Sequence, residues 1–366
     1  MFDDEAVRAA ARSDPVGFVD SLPAKIILDE VQRVPELFTS LKSAIDRRRT
    51  AGRFILTGSA NVLLVPRLAD SLAGRMGLLR LHPLAQCELE DTRPRFLDAL
   101  FAGRFRTGIV ERLGLGLAER IVAGGYPAAL ARPTAARRSA WYRDYVETQI
   151  QRDVRDLARI HSFDALPKLL ALAASNTAAL INVLDISGAF QVTRQTIHDY
   201  VTLLERVFLL ERLPAWPTNS LRRMVKRPKL HVGDTGVACA LLGIGAVALD
   251  KDRTRLGPML ETFVLQELRR QSSWRPTPID FFHFRDRDDF EVDIVLEQGP
   301  SAVAGVEVKA AATVTEGDLR GLRKLRAAAG SRFTSGVVLY DGSATISFGA
   351  GLYGVPLRAL WETPGA

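Results

Sequence analysis

Two short apolar runs set what the first part of this chain can fold into. Ala24–Glu30 reads AKIILDE and Arg53–Ser59 reads RFILTGS. Each is too short for a helix and ends abruptly in polar residues, as a buried strand does. Helical spacing of apolar residues runs from Glu5 to Leu22 ahead of the first and from Pro35 to Arg49 between the two. Short apolar strands alternating with helices predict a parallel sheet covered on both faces. The run MGLLRLHPL, closed by Pro83, reads as a third strand.

Further on the rhythm changes. FLDALFAGRF, RLGLGLAERIVAGG and RSAWYRDYVETQIQRDVRDLARI carry apolar residues at three- and four-residue spacing, and Gly124-Gly125-Tyr126-Pro127 is a helix stop. INVLDISGAF, a turn at Gln191–Val192, and TRQTIHDYVTLLERVFLL have the spacing of a helix-turn-helix. Thr193 suits an N-cap, with Ile197, Val201 and Leu204 facing inward. ERLPAW and KLHVGD then read as strands bracketing the basic stretch NSLRRMVKRP, the layout of a wing. From about residue 257 a helix, PMLETFVLQELRRQ, precedes three β-rich runs, DFFHFRD, FEVDIVLEQG and AVAGVEVKA. The helix EGDLRGLRKLRAAAG and the strand SGVVLYDG follow. These changes divide the chain at 1–90, 91–175, 176–250 and 251–366.

With 366 residues, several cores are expected rather than one. No apolar run reaches the roughly 18 residues of a membrane-spanning helix, so no membrane partner is expected. Cys87 and Cys239 form neither a metal-ligand spacing nor a disulfide framework, which points to the cytoplasm. Lys and Arg number 49 against 42 Asp and Glu, a net +7 that suits either a polyanion partner or a generally basic surface.

The polar ends of the two apolar runs carry candidate chemistry. A strand that ends in Asp29-Glu30 can hold Mg²⁺ through water with the first carboxylate and orient an attacking water with the second. The same pattern also fits a plain strand ending in a helix-capping Asp. Thr57 and Ser59 stand at the second strand's tip, where open α/β sheets bind ligands. There they can sense phosphate or simply make a Thr-Gly-Ser turn.

Taken together, ILDEVQRVPELFTSLKSAIDR, GRFILTGSANVLL, DSLAGRMGLLRLHPLAQCEL, GGYPAAL, LHVGDTGVACALLG and the E-V-D…E-V-K segment resemble a bacterial and archaeal AAA-type ATPase family. Its members join an AAA-like domain to a C-terminal domain related to the PD-(D/E)XK nuclease fold. The resemblance implies an α/β chain with a truncated P-loop (AAA-like) parallel sheet, a helical and winged-helix middle, and a C-terminal α+β PD-(D/E)XK-like domain. It implies ATP and Mg²⁺ as cofactors, Asp29 and Glu30 at the Walker B positions, and Thr57 and Ser59 on the sensor strand. Arg75 of LAGR would meet phosphate, in the same subunit or across a self-association interface. The family also expects a G-x-x-x-x-G-K-[ST] loop, whereas no lysine in this chain follows a glycine. Phe2-Asp3-Asp4 resembles the end of the strand after that loop, so the expectation is a late start site and a chain that does not turn over ATP as it stands.

In PD-(D/E)XK folds a hairpin gathers an acid and an acid-x-Lys pair around a metal. Asp293 and Glu307-Val308-Lys309 match that layout, and Glu307 and Lys309, two apart on a strand, share a face. Glu261 on the preceding helix completes the implied metal-binding set, with Glu267 a lesser candidate. Such a site would be a metal-dependent DNA nuclease, with the lysine activating water; two amphipathic neighbouring strands explain the pattern as well. In the winged-helix stretch Arg194, His198 and Arg206, with Arg222, Arg223, Lys226, Arg227 and Lys229 in the wing, can line a DNA groove. They can equally be solvated on a lid over the ATPase core.

Overall fold

The computed structural model describes residues 2–59, 72, 74–154, 165–217, 227–286 and 288–362. Helices α1 (Glu5–Ser13) and α2 (Pro15–Asp20) divide the expected first helix, because Pro15 cannot continue α1. Asp4 and Asp14 cap them, accepting from Ala6 N and Val7 N and from Gly17 N respectively. Strand β1 (Ile26–Leu28) leads through a short 3₁₀ turn to α3 (Leu37–Arg47), which returns the chain to β2 (Phe54–Leu56). The strands pair in parallel, Ile26 opposite Phe54 and Leu28 opposite Leu56. Leu28, Leu37, Phe38 and Leu41 share the core on one face of the pair.

The other face departs from the expectation of a sheet covered on both sides. Among the described residues Ile27 and Ile55, paired in register, remain 63% and 54% exposed. The expected third strand is also absent, since Met76–Leu84 forms no strand and Leu79 and Leu81 lie exposed. That run contains no β-branched residue, so its apolar character never distinguished a strand from an extended connection.

The middle of the chain is helical: α4 (Phe96–Ala102), α5 (Leu115–Ala123), α6 (Ala135–Thr148) and α7 (Ala165–Ser175). The pair α8 (Val183–Phe190) and α9 (Arg194–Arg206) follows, joined through Gln191 in the left-handed region. Thr193 caps α9 by accepting from Thr196 N, and Ile197, Val201 and Leu204 are buried. Strands β3 (Ala179–Leu180), β4 (Leu210–Leu213) and β5 (Lys229–Val232) form an antiparallel sheet with β5 in the centre. All four residues of β5 are buried.

After α10 (Thr235–Leu242), the 20-residue α11 (Arg253–Ser272) packs on a six-stranded mixed sheet. Its strands are β6 (Asp280–Arg285), β7 (Glu291–Gln298), β8 (Ala302–Lys309), β9 (Phe333–Tyr340), β10 (Ile346–Ser347) and β11 (Leu352–Pro356), in the order β10-β11-β9-β8-β7-β6. Helix α12 (Arg320–Ala329) contacts β7, β8 and β9 and shares a core with them.

One buried ion cluster ties these parts together. The Arg270 guanidinium donates to Asp234 Oδ2 at 2.9 Å, to Glu267 Oε1 at 3.0 Å and to the Leu84 carbonyl at 2.9 Å. Asp234 also accepts from Gly125 N and Gly236 N, and Glu267 accepts from Gln86 N. None of the three charged residues is more than 3% exposed. The GGYP glycines are needed here for close approach: a Cβ on Gly124 would lie 2.2 Å from Asp234 Oδ1, and one on Gly125 2.6 Å from the Leu84 carbonyl oxygen. Replacing Arg270 by Met leaves two carboxylates buried without their cation, and the variant should lose about 3–5 kcal/mol in chemical denaturation.

Candidate functional site

The first candidate site is built on the parallel pairing. Thr57 N donates to the Leu28 carbonyl at 2.9 Å and Val31 N to the Thr57 carbonyl at 3.1 Å, which fixes the two strand tips side by side. Across that junction the Thr57 hydroxyl donates to Asp29 Oδ1 and the Ser59 hydroxyl approaches Glu30 Oε2 at 3.4 Å. Gln32 Nε2 donates to Glu30 Oε2 and lies 3.3 Å from the Ser59 hydroxyl. Glu30 takes φ +56°, a left-handed backbone that costs a non-glycine residue of order 1 kcal/mol and is found disproportionately at functional sites. The structure thus brings Asp29, Glu30, Thr57 and Ser59 together and adds Gln32, which the sequence reading had not singled out. Both carboxylates are partly open to solvent, the setting in which a magnesium ion is held through water.

Arg75 is placed elsewhere. Its Nε and Nη2 grip Asp46 at 2.8 and 2.9 Å, a bidentate pair at the C-terminal turn of α3. The nearby Arg53, just ahead of β2, donates to the Ala44 carbonyl, so this turn lies where β2 begins and away from the tips.

The second candidate site lies where α11, β5, β7 and β8 meet. Asp293 Oδ2 accepts from Val308 N at 2.9 Å, which holds it beside Glu307. Lys309 Nζ donates to Glu307 Oε1 at 2.8 Å, on the shared strand face expected from their spacing. Glu261 reaches the same cluster from α11. Glu267 does not: it belongs to the Arg270 cluster six residues further along the helix.

Lys229, expected among the basic residues of the wing, is instead 2% exposed. Its ammonium lies 2.7 Å from Glu261 Oε1, 2.6 Å from Glu291 Oε1 and 3.2 Å from Asp293 Oδ1. It opens β5, whose central place in its sheet buries it. Glu291 was missed although its signal was present, since Glu291 and Asp293 are two apart on a strand like Glu307 and Lys309. His231, also on β5, donates or accepts at Nδ1 with Thr262 at 3.0 Å, and burial holds its pKa well below the usual histidine range. Among the described residues no group of three or more His, Cys, Asp or Glu is arranged to hold a metal ion.

Of the expected DNA-binding residues, Arg194 and His198 are exposed on α9 and Arg206 is half-buried. Arg227 is exposed while its carbonyl accepts from His283 Nε2 at 2.9 Å. Arg222, Arg223 and Lys226 lie outside the described residues.

Residues 1–90 match a family model described as an AAA domain, residues 115–248 a domain of unknown function (DUF8612), and residues 256–360 a domain of unknown function (DUF4143). Uncharacterized proteins of Mycobacterium bovis and Mycobacterium tuberculosis are each 28% identical over 315 residues. The match covers 85% of this chain and 65% of each relative, so the chain spans under two thirds of their length. A solved assembly of Thermococcus gammatolerans McrB AAA+ hexamers with bound McrC aligns at 11% identity over 53% of this chain and 71% of that one. Its TM-score of 0.23 is too low to establish a shared arrangement. Residues 1–90 are therefore AAA-like, in keeping with their parallel strands. No helix of the described residues is long and apolar enough to cross a membrane.

Burial, and then the adjacent Asp293 carboxylate, push the Glu307 carboxyl up to about 8 from an ordinary 4.5. Between those values the folded protein holds a proton that the unfolded chain releases. The associated stability is complete below 4.5 and is lost as pH rises through 8, by at most about 1.4 kcal/mol per pH unit. Glu307→Gln removes this decline, so urea denaturation across that window should show the variant gaining on the parent as pH rises.

Proposed function

We propose that this chain is an AAA-type, ATPase-like protein in which the tips of β1 and β2 form the magnesium- and water-facing half of a nucleotide site. The observation that carries the reading is the pairing across the tips, Asp29 with Thr57 and Glu30 with Ser59, within an AAA-like segment. In this reading Asp29 holds Mg²⁺ through its waters, and Glu30 orients the water that attacks a γ-phosphate. Gln32 and Ser59 fix the Glu30 carboxylate from two sides, and the left-handed backbone of Glu30 aims it off the strand end. Magnesium chemistry suits such partly exposed oxygens.

The phosphate side needs different groups: backbone N–H donors that approach closely and a lysine that neutralises charge. The 366 residues contain no glycine followed by lysine, and Asp29 and Glu30 repel phosphate. The site therefore depends on phosphate-binding groups contributed to these tips by another polypeptide segment.

Titrating the 366-residue chain with ATP and Mg²⁺ should give no saturable binding at micromolar concentration and no turnover. A saturable micromolar complex would overturn the assignment of an incomplete site. A separate measurement tests whether the acids serve function and not the fold. Asp29→Asn and Glu30→Gln should unfold within about 1 kcal/mol of the parent, and a larger loss would make them structural.

A further inference from the structure

The carboxylate cluster of the C-terminal unit has a cation at its centre, and that cation belongs to the chain. Lys229 comes from β5, Glu261 from α11, and Glu291 and Asp293 from β7, so the cluster joins the two sheets through the helix. An ammonium has three N–H donors, and here three carboxylate oxygens lie within 3.2 Å of the nitrogen. Three carboxylates this close repel one another unless a positive charge sits among them. A lysine buried to this degree is stable only with such partners.

Ligand-type atoms at the edge of the cage have no partner of their own. The fully buried His231 turns Nε2, which makes no hydrogen bond, toward Glu261 Oε1 at 3.9 Å. Glu307 Oε2 is likewise buried without a hydrogen bond. Carboxylate oxygens and an imidazole nitrogen are donor types that a divalent transition ion takes, although with the lysine in place no group of three or more among the described residues is arranged to hold one. The space at their centre is filled by the lysine.

We propose that Lys229 is the resident cation of this cage, standing where a divalent metal ion would stand, so that the carboxylates clasp the middle sheet to the C-terminal sheet without a metal. The inference is independent of the nucleotide-site reading. It opposes the metal-dependent nuclease that the E-V-D…E-V-K pattern suggested, because Lys229 already engages Glu261 and Asp293 of that set and Lys309 engages Glu307.

Mn²⁺ is a suitable probe, being paramagnetic and tolerant of mixed oxygen and nitrogen ligands. In the unaltered chain the Lys229 ammonium resonance, protected by burial, should stay sharp when Mn²⁺ is added at stoichiometric concentration. The thermal midpoint should be the same in chelator and in Mn²⁺. Lys229→Met should lower that midpoint in chelator, recover in Mn²⁺, and bind Mn²⁺ about tenfold or more tighter than the parent. Adding Asp293→Asn to that variant should abolish the gain. If Lys229→Met folds only with Mn²⁺, the inference stands. Broadening of the ammonium resonance in the unaltered chain, or Mn²⁺ stabilisation that Asp293→Asn removes, would overturn it without recourse to the lysine variant.

Discussion

The Arg270–Asp234–Glu267 cluster is the interaction on which the other contacts depend. A guanidinium that is 3% exposed satisfies two carboxylates and a main-chain carbonyl, and the carboxylates in turn accept from Gln86 N, Gly125 N and Gly236 N. Three stretches of chain far apart in sequence, at Leu84–Gln86, Gly125 and Asp234–Gly236, are thereby fixed to one helix. Hydrophobic burial supplies most of the driving force for such a fold, yet it is non-directional. The ion cluster supplies direction, because leaving any one of its charges unpaired in this interior costs several kcal/mol. A different docking of α11 would keep the apolar contacts and lose these.

Strand β5 and helix α11 are joined along their whole common length by polar pairs. Lys229 meets Glu261, His231 meets Thr262, the Val232 carbonyl accepts from Gln266, and Asp234 meets Arg270. From Glu261 to Arg270 a helix rises about 13 Å, and from Lys229 to Asp234 a strand extends about 16 Å. The near match lets successive residues stay opposite one another. Each pair is buried, so the seam has one register: sliding by a residue would set a charge against an apolar neighbour. The resident lysine and the Arg270 cluster are the two ends of this seam.

What could be read in the sequence followed from periodicity. The spacing of Ile197, Val201 and Leu204 placed the buried face of α9, and the two-residue spacing of Glu307 and Lys309 placed them on one face. Burial was the part that periodicity could not reach. Lys229 follows the basic stretch LRRMVKRP and looked like one more solvated cation. Only its place at the start of a central strand, between β3 and β4, drives it inside. The pairing of Arg270 with Asp234 was invisible for a related reason, since helix packing against a loop brings them together, whereas Glu267 and Arg270 are three apart on one helix. MGLLRLHPL misled because leucine-rich runs lack the β-branched residues that favour a strand.

The two sites also differ in how their acids are kept. Every carboxylate at the C-terminal seam is either neutralised by a cation of the chain or pushed toward its protonated form by burial, as Glu261 and Glu307 are. Charges held this way are structural in effect, since freeing one leaves its partner exposed to the full penalty of an unpaired buried ion. At the strand tips, Asp29 and Glu30 are partly open to water and meet hydroxyls and an amide. Hydroxyl and amide donors of this kind orient a carboxylate. The left-handed backbone of Glu30 adds a local cost. Asp29 and Glu30 thus stand oriented and partly solvent-accessible at the ends of parallel strands. The buried seam, by contrast, has used its charges to hold the molecule together.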